Sequence, residues 1–311
     1  MNFPLRVLGT CLVAFVAAGC DSGEKSAAPS PAAAASGPLH VAVSNYPMKY
    51  FTERIGGAET DVIYLVPKDA DPAFWNPTPE QVRKIQEADL IVFNGASYEK
   101  WAPTVTLPEA KIVDTSAAFQ DKQLKIANAM THTHGPGGTH SHAGTDFNTW
   151  FDQSQALQQA EAIEKALAKK RPASAKKFEE NFAALKSDLQ ILDKDLETAT
   201  TKFGNTPAMA SHPIYGYFAR RYHLNLKHVQ WEPEEMPSDA QWAELKGILA
   251  THPAKIMIWE GEPAPEIAAK LKEYGLTGCP VIPVGNTPDE GDYLSIWKAN
   301  AQRLSAAGDA K

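Results

Sequence analysis

The sequence contains little cysteine, and this scarcity excludes one class of fold. Only three cysteines occur in 311 residues, and two of them, Cys11 and Cys20, stand within the first 20 positions. Cys279 is therefore the single cysteine of the predicted folded part. A disulfide framework of the kind found in small secreted domains is excluded, and we expect Cys279 to be a small buried apolar residue.

Long runs of positive charge are also missing. The chain has 30 Lys and Arg against 37 Asp and Glu, which gives a formal net charge of −7. Proteins that bind nucleic acid usually present a basic patch or stripe to the phosphates, and the sequence offers none. We therefore exclude nucleic acid as a partner.

Catalytic sequence motifs are a third absence. The chain has neither H-E-x-x-H, which marks zinc proteases, nor G-x-S-x-G, which marks serine hydrolases. An exported hydrolase is one of the functions we weigh, and it has the least support. We predict that the protein is not an enzyme.

The one long apolar run stands at the N-terminus. Residues 7–18 are too few to span a bilayer, so they indicate an export signal over 1–19. The small residues before Cys20 resemble a lipobox, which predicts that Cys20 becomes lipidated; the alternative is a plain secretory signal with a chance cysteine. Residues 20–37 are rich in Ser, Ala, Pro and Gly and indicate a flexible tether to the periplasmic side of a bacterial membrane.

The rest of the chain alternates short apolar runs with helical segments. The predicted strands are 39–44, 61–66, 90–94, 111–114, 208–211, 226–231, 255–259 and 281–284. The predicted helices between or after them are 79–88, 215–222, 239–251, 264–274 and 292–304. This alternation is typical of parallel sheets covered on both faces, and it predicts an α/β fold with two lobes.

A long helix is predicted between the two lobes. Residues 172–203 carry an apolar stripe at spacings of three and four, with Pro172 in the first turn and Gly204 after the last. We read it as a rigid connection, and a helix of one large core is the alternative. The predicted divisions are 38–165 for the first lobe, 166–204 for the linking helix and 205–311 for the second lobe.

Polar and aromatic residues follow the predicted strands. In open parallel sheets, ligands bind beyond the carboxyl ends of the strands, so a cleft between the lobes is the expected site. The residues at those ends are Asn45, Tyr46, Asp69, Asp71, Asn94 and Asp114 in the first lobe, and His212, Trp231, Glu232, Trp259, Glu260, Gly285 and Asn286 in the second.

Residues 131–145 form a second candidate site. The segment reads T-H-T-H-G-P-G-G-T-H-S-H-A-G-T, with His132, His134, His140 and His142 in two H-x-H pairs. Neutral imidazole binds Zn, Cu and Ni, and a glycine-rich loop can fold several imidazoles around one ion. We predict a metal-binding loop; the alternative is a solvated polar loop.

Several motifs resemble those of the zinc and manganese solute-binding proteins of ABC importers. They are D-P-A-F-W-N-P-T-P at 71–79, A-D-L-I-V-F-N-G at 88–95, D-F-N-T-W-F-D at 146–152, S-H-P-I-Y-G-Y-F at 211–218 and I-W-E at 258–260. The resemblance covers 39–304. It implies two lobes joined by one long rigid helix, a transported zinc ion, and an importer permease with its ATPase as partners; we expect a monomer.

The ligand positions of that family match in part. The family places histidines where this chain has Ala73 and Asn148, and a carboxylate near 281–284, where none stands. His212 matches the third position. The resemblance therefore implies one ligand, and the others have to come from elsewhere.

Three functions stay open on the sequence alone. In the first, His212 binds zinc, manganese or copper together with Glu260, Glu232 and the loop histidines. In the second, the cleft binds an organic cation between aromatic side chains, or another solute. In the third, the protein is a histidine-rich metal buffer. The predicted cleft wall consists of Trp75, Asn148, Trp150, Trp231 and Trp259.

Overall fold

A computed structural model of the chain describes residues 37–126, 131–133, 139–141 and 144–309, the two short central pieces by their backbone alone. The predicted signal, Cys20 and nearly all of the predicted tether lie outside these residues. From Gly37 onward the chain forms one compact unit. Within the described part, no helix combines the length and the apolar character that a bilayer crossing requires.

The first sheet contains four parallel strands: β1 (Leu39–Val43), β2 (Thr60–Ile63), β3 (Leu90–Phe93) and β4 (Ile112–Asp114). Their order is β2-β1-β3-β4. Helices α1 (Tyr46–Gly56) and α2 (Pro79–Glu87) follow β1 and β2. Thr78 and Gln81 form a capping box at the start of α2, which explains why this helix begins where the sequence predicts.

The histidine segment contains a small antiparallel ladder. Strands β5 (Lys125–Ile126) and β8 (Gly144–Thr145) pair with each other, and β6 (Thr131–Thr133) pairs with β7 (Thr139–Ser141). The register of β6 and β7 sets His132 opposite His140. His134 and His142 lie outside the described residues. One histidine of each H-x-H pair, His132 and His140, thus faces the other at the level of the backbone.

Two long helices follow: α3 (Gln153–Lys170) and α4 (Ala175–Thr201). The predicted helix over 172–203 starts later, because Pro172–Ser174 forms a separate 3-10 turn. Its 27 α-helical residues span about 40 Å. Helix α3 extends to Lys170 and was not predicted from the sequence. The predicted division of the chain at 165 and 204 stays a prediction, since the chain from Gly37 onward is one compact unit.

The second sheet repeats the first. It contains β9 (Ala208–Ala210), β10 (Leu226–His228), β11 (Ile256–Trp259) and β12 (Thr277–Pro280), in the order β10-β9-β11-β12. Helices α5 (Gly216–Arg221), α6 (Asp239–Thr251), α7 (Pro265–Glu273) and α8 (Tyr293–Asp309) accompany it. Two parallel-sheet lobes with a long helix between them confirm the predicted fold class.

One predicted strand of this lobe is wrong. The apolar run 281–284 follows the strand instead of forming it, because β12 ends at Pro280. Val281 still donates its N–H to the Trp259 carbonyl at 2.7 Å, but Pro283 has no N–H, and Val284 has a φ of 59°. A positive φ is incompatible with an extended strand.

The two lobes share one hydrophobic core. Helix α8 leaves the second sheet and packs along α4, and its aromatic side chains reach the first lobe. Tyr293 stacks on Tyr50 with ring centroids 5.6 Å apart, and Trp297 contacts the edge of Phe151 at 5.4 Å. All four rings belong to the same buried cluster. Moving the lobes apart as whole bodies would expose this apolar surface to water.

Candidate metal centre

Three neighbouring strands of the second sheet deliver the candidate ligands. His212 comes two residues after β9, Glu260 follows β11 directly, and Glu232 lies four residues beyond β10. Strand β9 pairs with both β10 and β11 in parallel, so the carboxyl ends of all three meet at one edge of the sheet. This topology brings together three residues that are far apart in sequence.

The three side chains are within reach of one metal ion. His212 Nε2 lies 3.4 Å from Glu232 Oε1, and His212 Nδ1 lies 3.3 Å from Glu260 Oε1. One candidate ligand atom of each residue lies within 4.8 Å of the others. Bonds of about 2.1 Å to zinc at tetrahedral angles separate two ligand atoms by about 3.4 Å. The separation of His212 Nε2 and Glu232 Oε1 therefore fits a zinc ion bound by both, while Glu260 contacts the other ring nitrogen.

A contact with the backbone indicates which nitrogen of the His212 ring carries the proton. Nδ1 lies 3.1 Å from the carbonyl oxygen of Trp231, and a carbonyl can only accept a hydrogen bond. In the neutral imidazole the proton therefore belongs on Nδ1, which leaves the lone pair on Nε2. Nε2 is the nitrogen that faces Glu232, so a metal bound there would share His212 and Glu232 as its first two ligands.

Burial makes this group of charges favourable for a cation. His212 is 1 % exposed, whereas the side chains of Glu232 and Glu260 are 20 % and 21 % exposed. Two carboxylates beside one buried imidazole repel each other, and a divalent cation between them would offset that repulsion. Both carboxylates keep partial contact with solvent. We conclude that the arrangement is able to bind a divalent metal.

A cavity of ≈ 280 Å³ lies between the lobes beside this group. Its lining includes His212 and Glu260 from the second lobe and Asp71, Asn148 and Trp150 from the first. The predicted cleft between the lobes is therefore present. Tyr98, Phe147, Ile214 and Pro283 also line it and were not proposed from the sequence, since an apolar or aromatic residue type does not by itself distinguish a cavity wall from the core.

The aromatic wall predicted from the sequence is largely absent from this cavity. Asn148 and Trp150 border it, whereas Trp75 packs against Trp101 with ring centroids 6.3 Å apart. Trp231 and Trp259 are 2 % and 0 % exposed and belong to a core cluster behind the sheet. A position near a strand end does not decide which face a side chain takes, because side chains alternate along a strand.

The first lobe contributes no member of the three-residue group. Ala73 is 1 % exposed and has no ligand atom, and Asn148 is fixed by Asp146, whose Oδ1 accepts from the Asn148 backbone at 2.9 Å and side-chain amide at 3.0 Å. Asp71 lines the cavity, and its Oδ1 accepts from the Ala73 N–H at 2.9 Å. Among the described residues, the candidate ligands all stand on the second lobe.

The loop histidines cannot be placed around this centre. The structure gives the backbone of His132 and His140, and the other two lie outside the described residues. Their part in metal binding stays a prediction.

The chain is similar to known proteins over most of its length. The family model described as zinc-uptake complex component A, periplasmic (ZnuA), matches residues 41–307. The high-affinity zinc uptake system protein ZnuA of Bacillus subtilis is 29% identical over 312 residues, which cover 96% of this chain and 95% of that protein. The zinc-binding lipoprotein AdcA of Streptococcus pneumoniae is 26% identical over 293 residues, 88% of this chain but 57% of AdcA.

Solved structures give the same result. The metal-dependent lipoprotein YcdH of Bacillus subtilis superposes with a TM-score of 0.72 at 26% identity, over 87% of this chain and 98% of that one. A crystal structure of ZnuA superposes with a TM-score of 0.68 at 25% identity, over 87% of this chain and 99% of that one. Both the fold and the length of the compact unit are therefore those of these proteins.

Proposed function

The chain belongs to the family of periplasmic zinc-uptake components, and on that premise we propose that His212, Glu232 and Glu260 hold the zinc ion that it carries to an ABC importer. It is a solute-binding protein and not an enzyme. Zinc is its transported ligand. The observation that supports the proposed ligand set is the convergence of the three side chains beside the interlobe cavity.

The partners and the location follow the same premise. An importer needs a permease and an ATPase, and we propose that the zinc-loaded protein docks on the permease as a monomer. Export to the periplasmic side places the protein where zinc is captured. The aromatic-cleft alternative loses its support, because three of its four tryptophans pack in the cores instead of lining the cavity.

Removal of the histidine segment tests whether the cleft is a site of its own. Deleting residues 131–145 is expected to lower the zinc stoichiometry of the purified protein while leaving about one ion per chain, because His212, Glu232 and Glu260 remain. Elemental analysis and titration calorimetry of both proteins measure this. A deletion protein that binds no zinc would overturn the proposed site, and unchanged stoichiometry and affinity would overturn the role of the loop.

Lipid anchoring is tested at Cys20. Replacing Cys20 by serine is expected to move the protein from the membrane fraction to the soluble exported fraction, because serine cannot accept the thioether-linked lipid. Fractionation and mass spectrometry of the mature N-terminus measure this, and Cys279→Ser is the matched control. A Cys20→Ser protein that stays in the membrane after signal cleavage would locate the anchor elsewhere.

A further inference from the structure

The loop after β12 borders the metal cavity on one side. Residues 284–291 lie between the end of β12 at Pro280 and the start of α8 at Tyr293, and Gly285 and Asn286 line the cavity together with His212 and Glu260. Both ends of this loop have a positive φ, 59° at Val284 and 76° at Gly291. Glycine tolerates that conformation, but a β-branched residue such as Val284 is strained by on the order of 1–3 kcal/mol. Surrounding contacts must therefore hold the loop in this position.

Asn286 supplies most of those contacts, and four of its five side-chain hydrogen bonds reach the first lobe. Its Nδ2 donates to the carbonyls of Pro67 at 2.8 Å and Ala70 at 2.7 Å, with Lys68 O at 3.3 Å. Its Oδ1 accepts from the Tyr64 hydroxyl at 2.7 Å. One side chain thus ties the loop to the segment 64–70, directly before Asp71 and the cavity.

Weaker contacts support the same closed position. Tyr46 donates its N–H to the Gly285 carbonyl at 3.1 Å, and Lys68 pairs with Asp289 at 2.6 Å. The side chains of that pair are 56% and 92% exposed, so solvent screens it and it contributes little. Asn286 is therefore the contact whose loss should change the loop most.

Separation of the whole lobes is an unfavourable route to the metal. Helix α8 joins the shared core through Tyr293 and Trp297, and opening the lobes would remove these aromatic contacts. Movement of the loop alone breaks a few hydrogen bonds and relieves the strain at Val284. Such local opening has a lower free-energy cost than disruption of a buried core.

We propose that residues 284–291 form a gate over the zinc site, that Asn286 is its latch, and that this latch sets the rate of zinc exchange without setting the zinc affinity. This inference rests on the proposed zinc site. Because the three proposed ligands all come from the second lobe, opening the gate leaves the ligand set intact. Entry and release are then slowed or accelerated together, so their ratio, which is Kd, stays constant.

Exchange kinetics of an Asn286→Leu variant test the gate. The parent protein is the full chain without its four loop imidazoles, so that the measured zinc exchange comes from the cleft alone. Its substitutions are His132→Ser, His134→Ser, His140→Ser and His142→Ser. Asn286→Leu keeps the branched shape and the number of heavy atoms of the side chain and removes its hydrogen bonds. We expect the association and dissociation rates of zinc, followed by stopped-flow exchange with a fluorescent chelator, to rise at least about fivefold each, with Kd changed less than twofold.

Two further variants serve as a control and as an independent test of the same contact. Asn76→Leu is the matched control, because Asn76 is an exposed first-lobe asparagine whose side chain donates to the nearby Phe74 carbonyl at 3.3 Å. Tyr64→Phe removes one hydrogen bond of the latch while keeping the ring, so it should accelerate exchange in the same direction by a smaller factor. It keeps the test valid if Asn286→Leu folds poorly.

The outcomes separate the gate from the site beneath it. Unchanged rates in both Asn286→Leu and Tyr64→Phe, with zinc bound to the parent, overturn the latch and leave the proposed function standing. Faster release with unchanged entry, and hence a weaker Kd, shows that first-lobe atoms bind the ion and overturns the separation of rate from affinity. A parent protein that binds no zinc overturns the proposed function and the gate with it.

Discussion

Replacing His212 by alanine is expected to lower the zinc affinity of the cleft at least about a hundredfold, a loss of ~2.8 kcal/mol or more. His212 is the only nitrogen ligand of the group, and it lies between the two carboxylates, 3.4 Å from Glu232 and 3.3 Å from Glu260. Its removal leaves two partly exposed carboxylates, which resemble many acidic surface pairs and bind divalent ions weakly. The imidazole is thus what makes the site suitable for zinc.

Neutralising either carboxylate should weaken zinc binding less than the loss of His212 does, but by a measurable factor. Glu260→Gln and Glu232→Gln keep the size of each side chain and remove one negative charge, and each is expected to weaken zinc binding at least about tenfold, ~1.4 kcal/mol. Asn148→Ala is the matched cavity control. Asn148 borders the same cavity but is held by Asp146, so this change should alter the affinity little.

Zinc competition with a chelator of known affinity measures all four variants in the protein with serine at the four loop positions. Manganese and copper are run in parallel, because the sequence does not select among the three metals. A His212→Ala protein with unchanged zinc affinity would contradict the proposed ligand set. If Asn148→Ala weakened binding as much as Glu260→Gln, the first lobe would hold the ion as well.

The proposed ligands could be found from the sequence because a general rule of topology applies to them. His212, Glu232 and Glu260 each follow a predicted strand of the same lobe, and parallel strands end at one edge of their sheet. The rule predicts at which edge of the sheet the three residues lie, but not which strands are neighbours in the sheet. That β9 lies between β10 and β11, and thus that His212 lies between the two carboxylates, is visible only in the structure.

The direction of the tryptophan side chains could not be predicted in this way. Trp259 is the last residue of β11, so alternation sends its ring and the Glu260 side chain to opposite faces of the sheet. Trp231 and Glu232 lie beyond the end of β10, where alternation does not apply. In the structure Glu260 borders the cavity, Glu232 lies beside His212, and both indole rings enter the core. A count of aromatic residues at strand ends cannot predict this outcome.

The loop at 284–291 was predicted only in part, since Gly285 and Asn286 were expected at the cleft and do line the cavity. The run 281–284 is apolar and was read as a strand, although Pro283 interrupts the pattern of backbone donors. The positive φ of Val284 is a tertiary effect, since its residue type disfavours that conformation. No local pattern predicts that Asn286 meets three carbonyls that are more than 200 residues away in sequence.

Two buried carboxyl groups should make the stability of the metal-free protein fall as pH rises. Burial raises the pKa of Glu99 from 4.5 to about 7 and the pKa of Asp146 from 3.8 to about 7. Between the unfolded and folded pKa values the unfolded chain has already lost these protons while the folded protein keeps them. The free energy of unfolding therefore decreases as pH rises from about 4 to about 7 and is constant above that range.

Glu99 is the better of the two for an experiment, because it lies away from the cavity lining. It is 7 % exposed, and its Oε1 accepts the Asn94 N–H at 2.7 Å, a hydrogen bond that glutamine can also accept. A rise of the pKa from 4.5 to about 7 corresponds to on the order of 3 kcal/mol of lost stability at alkaline pH. Glu99→Gln should recover most of this at pH 8 and little at pH 5.

The difference between the two proteins isolates this carboxyl from other titrating groups. The pKa of His228 is lowered by burial and by His212, so protonation of His228 destabilises the fold as pH falls below about 6.5 and opposes the carboxyl trend. That contribution is common to both proteins and cancels in the comparison.

Denaturant unfolding with excess chelator at pH 5 and pH 8 gives the four free energies, and exposed Glu109→Gln is the matched control. A stability gain from Glu99→Gln that is equal at both pH values would show that the Glu99 carboxyl is not protonated in the folded protein at pH 5, and the predicted pH dependence would then be wrong.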